Sequence, residues 1–481
     1  MSLAQVKMKI RTHRSFVTLL LLYLMCAVVS FETLAADRFS PPDKLTYPPL
    51  EFKLPQAERI LLKNGSLLFF LRDDELPLIS ISAIVRTGSM YDPDGKEGVA
   101  ELTAGLMRTG GTAKLSSAEI DNRFDFLAAS PSIAMSLDSG SINFSFLKDD
   151  LDTCLDLLAQ MIKEPAFEEN RLQLALSLKR EELRRIADNP QKLAFREFNR
   201  LLYPGDPRGR YPTFASLHNI QRDDLISFQR KYFAPSTMIF AVSGNISRQD
   251  VVNKMEQYLG NWGTSIPALD VAPPPKKADY GLFIIRKQIP QSTAVSGEFT
   301  LGKNDPDYYA FTILDFLIGS GGFSSRIFSA VRNNEGLAYS AGSFYRARAN
   351  YGVFGTYAIT KTASTIQAIQ LINDILRDVA GGSVSPAELD SAKKSIVNSF
   401  IFSFVQPSQI ASQQMSIAFE KLPADFLSGY RKRIEAVTQD DLKRVAAKSL
   451  NEKRRMTLIV GDADQFGIMP EKWGQPVYIS P

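Results

Sequence analysis

Histidine and cysteine are almost absent from this sequence of 481 residues. Each occurs twice: the histidines are His13 and His218, and the cysteines are Cys26 and Cys154. His13 and Cys26 fall in a segment that we expect to be removed, so the mature chain would keep one residue of each type. A site that needs two imidazoles or two thiolates therefore cannot form within this chain alone. The same count excludes an intramolecular disulfide.

Residues 1–36 are predicted to be a secretory signal peptide. Four lysines or arginines precede an apolar run of 14 residues at 16–29, and Ala35 ends a cleavage site of the Ala-x-Ala type. That run is shorter than the roughly 20 residues that span a bilayer. The segment carries four basic residues and one acid, so its removal lowers the formal net charge from +4 to +1. We therefore expect an exported protein, periplasmic if the source is a Gram-negative bacterium, with no membrane span and no nucleic-acid partner.

The chain contains a long internal repeat. Residues 216–245 resemble residues 433–462, with Gly244 aligned on Gly461 at an offset of 217. The same offset aligns two helical patterns, at 154–162 and 371–379, each with the apolar spacing of one helix face. Matching offsets in three places indicate a duplication of one domain.

The repeat divides the chain into two similar domains. A proline-rich stretch at 265–280 is typical of an extended linker. Alternating segments at 79–85 and 142–146 predict half-buried strands, and Asn64-Gly65 predicts a hairpin. The predicted fold class is α+β, with two homologous domains that each have a mostly antiparallel sheet and helices packed on one face, forming a clamshell. The boundaries are a signal peptide at 1–36, an extension at 37–55, domains at 56–264 and 281–465 on either side of the linker, and a tail at 466–481.

Two stretches resemble the pitrilysin/insulinase-type metallopeptidases, a family that includes the mitochondrial processing peptidase. RTGSMYDPDGKEGVA at residues 86–100 resembles the approach to that family's inverted zinc motif. GSGGFSSRIFSAVRNNEGLAYS at residues 319–340 resembles its second-half signature. The resemblance extends over about residues 56–465 and implies the duplicated fold described above.

The zinc motif itself is degenerate. In active members of the family, His-x-x-Glu-His on a helix supplies two zinc ligands and a general base. The corresponding positions here are Glu101, Ala104 and Gly105. Glu182 matches the family's third-ligand position better than Glu181, although a solvated helix-face role is the simpler interpretation for both. We therefore expect no metal or other cofactor in this chain.

The second signature is intact. The resemblance implies that Arg332 and Tyr339 are catalytic, because in the family an arginine and a tyrosine reach the substrate from the second half. A guanidinium suits a peptide carbonyl and a phenol suits an oxyanion. The alternative is a surface arginine and a tyrosine that packs at a strand start. Candidates for a substrate loop are Gly319, Gly321 and Gly322, which lack the Gly-Lys-Ser/Thr ending of a nucleotide-binding loop.

These features favour one function and leave an alternative. The first is a subunit that is inactive alone and supplies Arg332 and Tyr339 to a homologous partner with an intact His-x-x-Glu-His motif, zinc and a peptide substrate. The second is a peptide-binding or assembly scaffold with a peptidase-like fold. An independent hydrolase that uses another mechanism has little support. With one cysteine and one histidine left, a Cys-His or Ser-His arrangement could be assembled only around His218.

Overall fold

The computed structural model describes residues 54–260, 262, 280–451 and 454–480. The predicted signal peptide, nearly all of the 37–55 extension and nearly all of the linker lie outside the described residues. The strands are β1 (Glu58–Leu61), β2 (Leu67–Arg72), β3 (Leu78–Val85), β4 (Ser132–Met135), β5 (Gly140–Leu147), β6 (Met238–Gly244), β7 (Gly281–Arg286), β8 (Gln291–Thr300), β9 (Ala338–Ala347), β10 (Gly352–Lys361), β11 (Met456–Gly461) and β12 (Val477–Tyr478).

The α-helices of the described residues all lie between β3 and β11 in the chain. They are α1 (Val99–Thr109), α2 (Ser117–Phe126), α3 (Leu151–Lys163), α4 (Glu169–Arg185), α5 (Pro190–Leu202), α6 (Phe214–Asn219), α7 (Arg222–Tyr232), α8 (Arg248–Leu259), α9 (Tyr308–Asp315), α10 (Thr365–Ala380), α11 (Pro386–Phe400), α12 (Pro407–Glu420), α13 (Tyr430–Ala436) and α14 (Gln439–Ser449). Within the described part of the chain, none of the helices combines the length and apolar composition that a membrane span requires.

The first sheet has six strands in the order β1-β2-β6-β3-β5-β4. Only β2 and β6 pair in parallel, and the other neighbours are antiparallel. β3 buries every second residue, as its alternating sequence predicts. The predicted strands at 79–85 and 142–146 fall in β3 and β5, and the Asn64-Gly65 turn joins β1 to β2, with Gly65 at φ 87°. These predictions are confirmed.

The second sheet repeats the first. Its order is β12-β7-β11-β8-β10-β9, so that from the second strand onward each strand corresponds to one of the first sheet. Gly244 ends β6 and Gly461 ends β11, the glycines that the internal repeat aligns. The edges differ, since β1 pairs antiparallel with β2 whereas β12 pairs parallel with β7. The predicted α+β fold with two homologous halves is confirmed.

Each half packs its own helices against one face of its sheet. In the first half, α3 buries Cys154, Leu158 and Ile162. In the second half, the equivalent helix α10 buries Ile372 and Val379. Both predicted apolar helix faces therefore lie in the cores, as their spacing indicated.

The opposite face of each sheet is covered by a helix from the other half. Helix α5, from the first half, places Phe198 in a buried cluster with Val295 and Leu458 of the second sheet. Helix α12, from the second half, places Met415 in a cluster with Ile239 of the first sheet. The predicted arrangement, with helices on one face, holds for each half's own helices but omits this exchange.

The exchange follows the internal repeat. Helix α5 begins at Pro190 and α12 at Pro407, positions separated by the repeat offset of 217. Proline suits the first turn of a helix because its missing N–H would have no partner there. The two halves therefore hold each other through equivalent helices, and the domain bounds that we expect from the sequence stay predictions.

Candidate functional site

Helix α1 carries the degenerate motif, and a buried carboxylate fixes its start. Asp92, in the preceding loop, accepts hydrogen bonds from the backbone N–H groups of Gly98 (2.8 Å) and Ala100 (2.7 Å). Gly98 has φ 114°, a conformation that favours glycine. Burial raises the pKa of Asp92 to about 6, against the opposing effect of these hydrogen bonds. The segment at 86–100 thus builds the helix start even though the motif after it has changed.

The three motif positions on α1 have different surroundings. Glu101 and Gly105, about one turn apart, are both exposed, and a Cβ at Gly105 would meet no atom within 4 Å. Ala104 is fully buried in the core of the first half. Glu101 is therefore the one motif position of the three that offers a ligand atom.

A lysine that sequence reasoning missed lies at this site. The Lys179 ammonium, on α4, is 2.7 Å from Glu101 Oε1 and 2.9 Å from Glu182 Oε2. The Lys179 side chain is 15% exposed, whereas the two glutamate side chains are 54% and 62% exposed. Burial acts to lower the pKa of Lys179, but its hydrogen bonds to the glutamates outweigh it and hold the pKa above the usual lysine value. The ion pair that joins α1 to α4 is therefore formed by the Lys179 ammonium and the Glu101 carboxylate.

The two glutamates considered for the third-ligand position, Glu181 and Glu182, have different ion-pair partners. Glu182 lies at the site through Lys179, while Glu181 pairs with Arg184 (3.3 Å) and Arg185 (2.6 Å) on its own helix. The spacing of three residues between Lys179 and Glu182, which puts them on one helix face, was the signal available in the sequence. His218 is exposed at the end of α6. Over the described ranges, no group of three His, Cys, Asp or Glu side chains is arranged to hold a metal.

Arg332 and Tyr339 lie side by side on the second half. The Arg332 guanidinium carbon is 5.5 Å from the centre of the Tyr339 ring and 4.9 Å from that of Phe328. Arg332 lies in a π-helical turn, and Tyr339 stands at a β-bulge where an extra residue interrupts the pairing of β9 with β10. Both irregularities are frequent at functional sites. Tyr339 is 75% exposed, which argues against a packing role for its ring.

The glycines before Arg332 shape a tight turn. A Cβ at Gly319 would lie 2.2 Å from the backbone nitrogen of Ser343, and one at Gly321 would lie 2.6 Å from the carbonyl oxygen of Phe316. Gly322 has φ 64°. Packing and backbone geometry therefore account for glycine at all three positions. Their contact with a substrate stays a prediction.

A cavity of about 330 Å³ lies beside Glu101, between the two halves. Asp92 and Glu101 contribute to its wall from the first half. Sequence reasoning did not find it, because its residues come from distant segments. Its cationic lining consists of Arg208, Arg210, Arg346 and Arg348.

Two family models match this chain side by side. Residues 71–211 match the model described as insulinase (peptidase family M16), and residues 219–396 match the model described as peptidase M16 inactive domain. The chain belongs to the insulinase family of peptidases. The first match includes the Glu101–Lys179–Glu182 cluster, and the second includes Arg332 and Tyr339.

Two uncharacterized zinc proteases and two solved structures are similar to this chain. An uncharacterized zinc protease from Rickettsia bellii is 25% identical over 339 residues, which cover 70% of this chain and 81% of that protein. The uncharacterized zinc protease YmxG from Bacillus subtilis is 23% identical over 349 residues, covering 72% and 84%. The crystal structure of a peptidase M16 inactive domain from Pseudomonas fluorescens superposes with a TM-score of 0.78 at 23% identity, covering 86% of this chain and 99% of that one. A protease from Helicobacter pylori gives 0.77 at 21%, covering 85% and 100%.

At these identities the solved structures support the fold alone. This insulinase-family chain is therefore peptidase-like in fold, and its chemistry has to be argued from its own side chains. The two clusters that matter are the lysine-bridged glutamates of the first half and the arginine–tyrosine pair of the second.

Proposed function

We propose that this chain is an exported, catalytically incomplete subunit that supplies Arg332 and Tyr339 to the active site of a zinc-bearing partner, and that the assembled pair hydrolyses peptides. The observation that carries the proposal is the contrast between the two halves. The zinc-motif positions hold Glu101, Ala104 and Gly105, whereas the arginine and tyrosine of the second signature are present, adjacent and exposed.

Zinc does not fit the residues of this chain's own site. Catalytic zinc takes three protein ligands, most often imidazoles and a carboxylate. Here Gly105 has no ligand atom, and Glu101 and Glu182 both form ion pairs with the Lys179 ammonium. An incoming zinc ion would meet a cation already between the two carboxylates. We therefore expect the purified chain, from residue 37 onward, to hold no stoichiometric zinc and to cleave no peptide by itself.

The arginine–tyrosine pair has suitable chemistry for a shared site. Stacking against Phe328 and Tyr339 restrains the Arg332 guanidinium, whose N–H groups would donate to a peptide carbonyl. The Tyr339 hydroxyl would donate to the oxyanion of a tetrahedral intermediate. Because both side chains are exposed, a partner that docks on this face could bring its substrate within their reach.

The test compares variants in complex with a zinc-bearing homologous partner. Tyr339→Phe should leave folding and assembly intact and lower turnover about a hundredfold, the usual order for losing one oxyanion donor. Arg332→Ala should act mainly on kcat/KM, because it weakens substrate engagement. Arg286→Ala is the matched control, since Arg286 is also stacked on an exposed ring, that of Tyr478 at 4.4 Å, away from the proposed site.

The measurement is steady-state cleavage of a quenched peptide after light scattering has confirmed assembly. Wild-type rates from an assembled Tyr339→Phe, Arg332→Ala double variant would contradict the subunit proposal. That result would favour the scaffold alternative. The cavity between the halves is consistent with this alternative, because it offers a place where a group of a bound peptide could lie. A loss of activity that follows only from dissociation of the complex would favour the scaffold as well.

A further inference from the structure

The cavity between the halves is small, and four arginines lie in its wall. At about 330 Å³ it lies at the lower end of the range of roughly 300–1,000 Å³ that ligand sites occupy. It therefore suits one side chain or one chain end better than an extended strand. Ser89, Ser136, Asn199 and Tyr211 add neutral hydrogen-bonding groups to the four arginines of its wall.

Two of these arginines are held by aspartates of the first half. Arg208 is buried, and its Nε and Nη2 atoms donate to the Asp206 carboxylate at 2.7 Å and 2.6 Å. Arg210 pairs with Asp94 and also donates to the carbonyl oxygens of Met90 (3.1 Å) and Asp92 (3.0 Å). Their charges are thus compensated, and their donors shape the loops around the cavity.

A third arginine joins the two halves. Arg348, after β9, lies 3.1 Å from Asp138 in the turn between β4 and β5. The two acids in the wall also have partners. Asp92 accepts hydrogen bonds from backbone N–H groups at the start of α1, and Glu101 accepts one from the Lys179 ammonium. Of the four arginines in the wall, only the contacts of Arg346 remain to be described.

Arg346 differs from the other three. It is exposed, and its guanidinium carbon lies 5.0 Å from the centre of the Phe344 ring and 6.0 Å from that of Phe195. In the part of the chain that the structure describes, it makes no ion pair with a carboxylate. Stacking on two rings restrains a guanidinium while its N–H edge stays available, which is the arrangement that favours bidentate binding of a carboxylate.

We propose that this cavity binds a peptide through a carboxylate group, with Arg346 as the residue that receives it. The carboxylate belongs either to the C-terminus of the peptide or to an aspartate or glutamate side chain near its end. The site lies within this one chain and does not include Arg332 or Tyr339. It should therefore bind peptide in the absence of any partner, whatever the result of the turnover test above.

Fluorescence anisotropy with three labelled pentapeptides tests the proposal on the chain from residue 37 onward. One peptide ends in a free carboxylate, the second is its C-terminal amide, and the third is the amide with one aspartate. At least one carboxylate-bearing peptide should bind more tightly than the neutral amide, and the affinity should fall as salt is added. The free acid and the aspartate amide distinguish the two sources of the carboxylate.

Arg346→Gln should weaken binding of the preferred peptide about tenfold or more, the usual order for losing a hydrogen bond to a charged group. Arg346→Lys should bind the preferred peptide more tightly than Arg346→Gln but less tightly than wild type, because an ammonium cannot bind a carboxylate bidentately. Arg286→Gln, which removes another ring-stacked arginine, should bind as wild type. Thermal unfolding checks that each variant is folded. Equal affinity of wild type and Arg346→Gln, equal affinity for the neutral amide, or no binding of any peptide at millimolar concentration would each overturn the proposal.

Discussion

Replacing Lys179 with methionine tests whether the ammonium holds α1 against α4. Methionine keeps a flexible apolar side chain and removes the charge, so the substitution isolates the contacts with Glu101 at 2.7 Å and Glu182 at 2.9 Å. Both glutamates are more than half exposed, and their carboxylates stay hydrated once the ammonium is gone. The loss is therefore that of two ion pairs, without the larger penalty of a buried unpaired charge.

The magnitude follows from exposure. Exposed ion pairs contribute about 0.2–1 kcal/mol each, and the 15% exposure of Lys179 puts its pairs in the upper part of that range. We expect Lys179→Met to lower the free energy of unfolding by about 1–2 kcal/mol. The pKa of Lys179 is raised on folding, so its contribution is fully present below the unfolded lysine pKa of about 10.4 and is lost only above it. The difference between the two proteins should thus be constant from about pH 6 to about pH 9.

Urea unfolding followed by circular dichroism, at low and high salt, measures this difference. The matched control is Lys394→Met on α11, because Lys394 pairs with Asp390 at 2.7 Å but is 71% exposed. The control should change stability by less than about 0.5 kcal/mol. A loss in Lys179→Met no larger than that of the control, or one that high salt does not reduce, would refute the reasoning. Zinc added to Lys179→Met should not raise its unfolding midpoint, because two carboxylates on their own do not complete a zinc site.

Two further predictions concern the exchange of helices and the second half. Cleavage within residues 265–280 should leave the two fragments associated on gel filtration, because α5 and α12 each pack on the other half's sheet; separate elution of the fragments would show that the exchange does not hold them. Glu388→Gln should lower stability by about 1 kcal/mol near neutral pH, because Glu388 accepts from Arg326 at 2.9 Å and 3.0 Å and this contact holds its pKa at about 2. A depressed pKa means that the contribution is present above the usual value of 4.5 and is lost as the pH falls towards 2, so unfolding curves of the two proteins should converge over that range.

Local patterns in the sequence predicted the parts of the fold that depend on near neighbours. The Asn64-Gly65 turn and the alternation in β3 follow from backbone preference and burial of one face, and both are where the sequence placed them. The repeat offset aligned Gly244 with Gly461 because equivalent strands end there. These signals need no knowledge of distant contacts.

The helix exchange was not predictable in the same way, although one signal pointed to it. All seven residues of β6 are buried, and the first five form a continuous apolar run without alternation. A strand buried on both faces requires a second covering layer. The sequence does not say which helix supplies that layer, because α12 lies more than 160 residues further along the chain. A pattern of burial thus predicts that a partner exists, whereas only the structure identifies it.

The same distinction applies to the charged sites. In the run that contains Lys179, every charge has an opposite charge within a helical turn, and a solvated helix face explains the sequence equally well. What separates Lys179 from its neighbours is Glu101, 78 residues away, which turns a helix-face charge into a link between α1 and α4. At two of the positions that the resemblance aligns with zinc ligands, Glu101 and Glu182, this chain places the Lys179 ammonium between the carboxylates. The ammonium supplies a positive charge and a contact between the two helices, so the packing of α1 on α4 does not need a metal ion at this position.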